Sequence, residues 1–227
     1  MAEIGTVGEM IGIRAHSREA FCRLVGYVLD NGLCERLLFA QNTSEVKEKF
    51  PPVQRGHLFD IALSGVKRVI LSDAGKRVKV EMRPGDILYT PPLCWKHPVW
   101  ETLHEMSAFV FNPDFIRLTY LCIAQRMGPE ELPEIGTFYH TSFAPDKEMN
   151  GVLRTLQLLS VNGDSRNAAP DLTRGLFRLL LARLEREEPA LLSKSQMTYQ
   201  RILQYLRDHC HAPINREHVA TVFRLHP

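Results

Sequence analysis

From Cys34 to about Phe111 the chain is a series of short β-type runs separated by turn signals, and this pattern restricts the fold more than any other feature. The runs are Glu35–Gln41, His57–Ser64, Lys67–Leu71, Arg77–Met82, Asp86–Thr90, Val99–Leu103 and Met106–Phe111. In Lys76-Arg-Val-Lys-Val-Glu-Met82 the apolar residues fall at 78, 80 and 82, the period of a strand with one buried face. Ser64-Gly65, Asp73-Ala-Gly75, Pro84-Gly85-Asp86 and Pro91-Pro92 supply the turns. Short strands at regular spacing predict a sandwich or barrel. Phe115 to Met127 fits either a strand or a helix.

Helical periodicity flanks this region. Ser17 to Asn31 places Phe21, Leu24, Val25, Val28 and Leu29 on one face, with Ser17 as N-cap and Gly32 past the C-terminus. Asp146 to Ser160 does the same with Met149, Val152, Leu153, Leu156 and Leu159, and Asn162-Gly-Asp-Ser165 breaks it. Asp171 to Glu187 carries Leu172, Leu176, Leu179, Leu180 and Leu184, with Phe177 and Leu181 widening the stripe. A stripe this wide predicts packing on two sides. The second side belongs either to the same domain or to a second subunit, so these leucines are dimerisation candidates. Residues 146–190 are read as a helical dimerisation and linker element between a domain at 1–145 and another at 195–227.

Composition excludes little beyond a membrane protein. No apolar run approaches the roughly 18 residues needed to span a bilayer. The start, Met1-Ala-Glu-Ile-Gly-Thr6, has neither the basic nor the apolar region of a secretory signal. Five scattered cysteines without a Cys-x-x-Cys fit reduced thiols, and with them a cytoplasmic protein. The net charge is only +2, but from Ser193 onward five basic residues face two acidic ones. A basic tail on a nearly neutral body fits phosphate contact by the tail.

Two segments point to function. The first is Pro84-Gly-Asp-Ile-Leu-Tyr-Thr-Pro-Pro-Leu-Cys-Trp-Lys-His97. Gly85 permits a sharp turn into a strand, and the paired prolines end its hydrogen bonding. Tyr89, Trp95 and Trp100 cluster near it, with Phe59 on an earlier strand and His97 opening the next. These five are candidates to line an apolar pocket for a small molecule, or else they are ordinary core. The Gly85-Asp86, Pro91-Pro92 and His97 stretch resembles the cupin-type sensor domain of AraC/XylS-family transcriptional regulators, loosely from Cys34 to Tyr120. Cupin enzymes draw metal ligands from a related stretch, together with a His-x-His and a Glu on earlier strands. Here His57 stands alone in that region, while His104 and Glu105 follow in the wrong order. Transition-metal sites take three or four protein ligands, so no metal or other cofactor is expected.

The second segment is C-terminal. Tyr199, Ile202, Leu203 and Leu206 form one helical face, and Asn215 is an N-cap for a following helix. Pro213, Ile214, Asn215, Ala220, Leu225 and Pro227 resemble the end of the first helix-turn-helix motif of the same family, with His226 where the family usually has Ser. In such a motif the second helix reads the major groove and the first crosses the backbone. Arg216 and Arg224 are therefore candidates for phosphate contact.

The resemblance implies a mostly β, cupin-like barrel or jelly roll followed by helices, then the start of an all-α helix-turn-helix domain continuing past Pro227. It implies a transcriptional regulator rather than an enzyme, with a small-molecule effector, DNA as partner of the full-length protein, and a homodimer. The alternatives are a metal-dependent cupin enzyme, a dioxygenase or isomerase, and a structural or partner-binding β-domain with no ligand.

Overall fold

The computed structural model describes residues 18–30, 36–40, 56–73, 76–113, 115–123, 135–140, 145–161, 167–186, 198–199, 202, 205–206 and 215–223. The chain divides into two compact units, Met1–Glu187 and Glu188–Pro227.

The first described element of the first unit is α1, Arg18–Asp30. Nine strands follow among the described residues: β1 Leu37–Phe39, β2 His57–Gly65, β3 Lys67–Asp73, β4 Lys76–Met82, β5 Ile87–Thr90, β6 Lys96–Val99, β7 His104–Phe111, β8 Ile116–Ile123 and β9 Ile135–His140. Helices α2, Lys147–Val161, and α3, Ala169–Arg186, complete the unit. The strands form a six-stranded sheet in the order β1-β5-β2-β7-β8-β9 and a three-stranded sheet in the order β4-β3-β6. The β-rich unit with following helices agrees with the sequence. The strands form two sheets, and among the described residues there is no closed barrel.

Three layers result. The helices cover one face of the large sheet, where Phe21, Leu24, Val25 and Val28 of α1 and Met149, Leu153 and Leu156 of α2 join Phe59, Ile61, Tyr89, Phe109 and Phe111 in one buried cluster. The small sheet packs on the opposite face, where Ala62 and Leu88 meet Val69, Leu71 and Met82. Strand alternation accounts for this division: in β2, Phe59 and Ile61 point to the helices, and Asp60 and Ala62 point to the small sheet.

Local chemistry fixes the connections. Arg83-Pro84-Gly85-Asp86 is a tight turn with Gly85 at φ 94° and Asp86 N–H donating to the Arg83 carbonyl at 2.9 Å. Proline and a positive-φ glycine at the central positions are the chemistry of a type II turn. Asp146 caps α2 by accepting the Met149 N–H at 2.9 Å.

One expectation needs correction, and the structure adds to two readings that the sequence left open. The run Val99–Leu103 is not a strand; β6 lies earlier, at Lys96–Val99, and a bend follows. Pro98 obscured it, but β6 is a sheet edge, where a missing N–H is tolerated. Phe115–Met127 resolves as strand at Ile116–Ile123. On α3, Leu176, Leu180 and Leu184 are buried in this chain's own core, and Leu172 and Leu179 pack against it. The stripe is wide because α3 packs on α1, on α2 and on the sheet at once. Ser17, Gly32 and the 162–165 break lie outside the described residues.

In the second unit, α4 spans Arg216–Phe223. Asn215 caps it as expected, its Oδ1 accepting the His218 N–H at 2.7 Å. Tyr205 packs on this helix, edge-on to Phe223 and with its hydroxyl 2.7 Å from His218 Nε2.

Candidate functional site

The most unusual chemistry in the first unit lies between the two sheets. Asp60 sits in Leu58-Phe-Asp-Ile-Ala-Leu63, and the whole of that run is buried. Its carboxylate is fully enclosed. Lys67, at the start of β3, shares a face with Val69 and Leu71 and is equally enclosed; its Nζ donates to Asp60 Oδ2 at 3.0 Å and to Met106 Sδ at 2.7 Å. Lys96, opposite Leu71 on β6, donates to the same Asp60 Oδ2. The small sheet thus delivers two ammonium groups to one carboxylate of the large sheet.

The electrostatics follow from burial. Enclosure alone would raise the Asp60 carboxyl, but Lys67 and Lys96 offset this and hold it below its ordinary value. Enclosure pushes the Lys67 ammonium down to about 8, against the opposing pull of Asp60. The Lys67 and Asp60 side chains are 2% and 0% exposed, and that of Lys96 is 14% exposed, which makes Lys96 the most accessible of the three.

Several buried polar atoms beside this cluster have no hydrogen-bond partner among the described residues. They include Asp60 Oδ1, Thr90 Oγ1 and His104 Nε2. Thr90 pairs with Leu58 in the register and so shares the Asp60 face of the large sheet. His104, two residues before Met106 on β7, directs Nδ1 to the Thr102 carbonyl at 2.7 Å, which leaves Nε2 as an acceptor. Burial lowers its pKa, against the opposing effect of the hydrogen bond to Thr102. Trp100 stacks parallel to it, with ring centroids 6.3 Å apart, and packs on Met106, Leu121 and Ile123.

The five expected pocket residues do not form one group. Phe59 and Tyr89 stack at 4.8 Å on the helix-facing side of the large sheet, in contact with Phe177 and His57. His97 is exposed, and buried Trp95 stacks on it with the Arg77 guanidinium above the indole. Trp100 packs on His104 and Met106 of β7. A one-residue step decides this: Lys96 points inward and His97 outward. Sequence reasoning missed Asp60, Lys67 and Lys96. The available signal was charge at positions whose strand neighbours of the same parity are apolar.

Among the described residues no three His, Cys, Asp or Glu side chains converge as a metal-ligand set. In the second unit Arg216 is exposed on the first turn of α4, and Arg224 lies outside the described residues. Among the described residues no helix is long and apolar enough to cross a membrane. No family model matches the chain, and no curated protein matches it.

Proposed function

We propose that the protein is a small-molecule-responsive transcriptional regulator of the AraC/XylS type, acting in the cytoplasm as a homodimer. The effector is held between the two sheets of the first unit. DNA is contacted through a helix-turn-helix domain to which the second unit contributes, with Arg216 and Arg224 on phosphates.

The observation that carries this reading is the enclosed Asp60–Lys67–Lys96 cluster in a two-sheet unit. Hydrophobic residues of similar volume would stabilise the interior as well as a buried ion triad or better. Polar groups kept there without full pairing are the equipment of a recognition site. The separate second unit, with its Asn-capped helix α4, supplies further support. Mechanistically, an effector acts by binding one arrangement of sensor and DNA-binding domain more tightly than another. The shift in DNA affinity cannot exceed that difference.

The test is footprinting of the whole natural protein on genomic DNA, with and without small-molecule extracts. Protection of a defined sequence, altered by an extract, is the expected result. Absence of any protected sequence overturns the reading. So does a native mass spectrum showing a monomer with one stoichiometric transition metal, which would turn attention to the metal-dependent cupin enzyme.

A further inference from the structure

The enclosed cluster has an unbalanced inventory of charge and hydrogen bonds. Asp60 contributes one negative charge, and Lys67 and Lys96 contribute two positive ones. Asp60 and Lys96 are the charged groups that act on Lys67. Among the described residues one positive charge is therefore in excess. Both ammonium groups also close on the same atom, Oδ2, while Oδ1 has no partner among the described residues. A triad built only to hold the sheets together would use both carboxylate oxygens, because each unmet buried acceptor costs about 1–3 kcal/mol. Two acceptors, Asp60 Oδ1 and His104 Nε2, and one hydroxyl, Thr90 Oγ1, are left over. Among the described residues Lys96 pairs with Asp60 only, which leaves further N–H donors, and its side chain is the most exposed of the three.

The complement of this inventory is a single negative charge accompanied by hydroxyl donors. We propose that the space between the sheets binds a small hydroxylated monocarboxylate, its carboxylate against Lys96 and its hydroxyls donating to Asp60 Oδ1 and His104 Nε2. A monoanion brings the cluster to neutrality. A phosphate dianion overshoots and places a second negative charge near Asp60. A neutral polyol satisfies the acceptors and leaves the excess charge unmet. The proposal rests on the reading that this space is the effector site, and it names the chemical class of that effector.

The experiment is a thermal-unfolding series on the full chain at constant ionic strength. The probes are glycerate, gluconate, propionate, glycerol and inorganic phosphate, tested on the wild type, Lys96→Met and Lys96→Arg. Glycerate or gluconate should raise the unfolding temperature by about 3 °C or more at about ten times its Kd. Propionate should act more weakly, and glycerol and phosphate should match the salt control. Lys96→Met should lose the response and Lys96→Arg should retain it. If no carboxylate shifts the wild type, or if phosphate does so equally, the proposal is overturned whatever the variants do. A response that survives in Lys96→Met overturns it as well. Each of these failures leaves sequence-specific DNA binding untouched, so it is separable from failure of the regulator reading.

Discussion

His57 and Tyr89 lie nearly parallel, 6.0 Å between ring centroids and 7° between planes, with His57 Nδ1 2.7 Å from the Tyr89 hydroxyl. That hydroxyl is also 3.5 Å from the Leu153 carbonyl oxygen of α2, so the pair ties the large sheet to its helical cover. Burial lowers the His57 pKa to about 4, and burial raises that of Tyr89. Because the folded pKa of His57 lies below the unfolded value, the folded state favours the neutral ring. This contribution is complete above pH about 6.5 and is lost as pH falls toward 4. The unfolding temperature should drop over that window. His57→Asn should flatten the drop in a pH series followed by circular dichroism; an unchanged slope would show that the ring titrates freely.

Asp60→Ala strips from the Lys67 and Lys96 ammonium groups the one counter-charge they have among the described residues. The expected loss of stability is about 3–5 kcal/mol in urea denaturation at pH 7. Lys67→Met should cost clearly less, since it keeps an unbranched chain and leaves Asp60 paired with Lys96. Equal losses would mean that packing of the lysine stem, rather than charge, dominates at this place.

Phe177 of α3 meets Phe109 at 4.9 Å, Phe59 at 5.9 Å and Phe111 at 6.5 Å between ring centroids. Truncation to alanine removes the side chain around which helices and sheet converge. A loss of about 3–5 kcal/mol is expected. The check is equilibrium denaturation, with near-ultraviolet circular dichroism reporting the loss of aromatic packing.

Two glycines should respond with opposite sign to the same substitution. Gly65 has φ +66°, and a Cβ there would lie 2.2 Å from the Leu103 carbonyl oxygen. Gly65→Ala is expected to destabilise by about 2–3 kcal/mol. Gly151 is an exposed residue of α2 with nothing within 4 Å of an added Cβ. Gly151→Ala is expected to stabilise by about 0.5–1 kcal/mol through helix propensity. Melting curves of the two variants, measured side by side, decide the matter.

The strands with clean alternation were legible in the sequence, as were α1, α2, α3 and the Asn215 cap, because a period of 2 or 3.6 survives wherever one face is buried. Strand β9 was not legible. Ile135-Gly-Thr-Phe-Tyr-His140 has a glycine at its second position and no regular alternation, and it is defined by pairing with β8 rather than by its own pattern. The candidate site was harder to read. Aromatic density drew attention to Phe59, Tyr89 and Trp95, yet aromatic rings are equally at home on either face of a sheet. Which face a residue takes depends on its register with partners in other strands, and the sequence of one strand does not contain that register. The charges of Asp60 and Lys67 among apolar neighbours of the same parity were the signal in the sequence that pointed inward, and the reading by aromatic density passed over it.

Strand β1 has a consequence for how the chain assembles. It is three residues long and runs parallel to β5 at the edge of the large sheet, where Arg36 meets Asp86 across a separation of 50 positions. The entropy of closing that loop must be met before any of its hydrogen bonds forms. So short a strand cannot seed the sheet. It joins one already made, and its amides should be the first of the sheet to exchange with solvent deuterium.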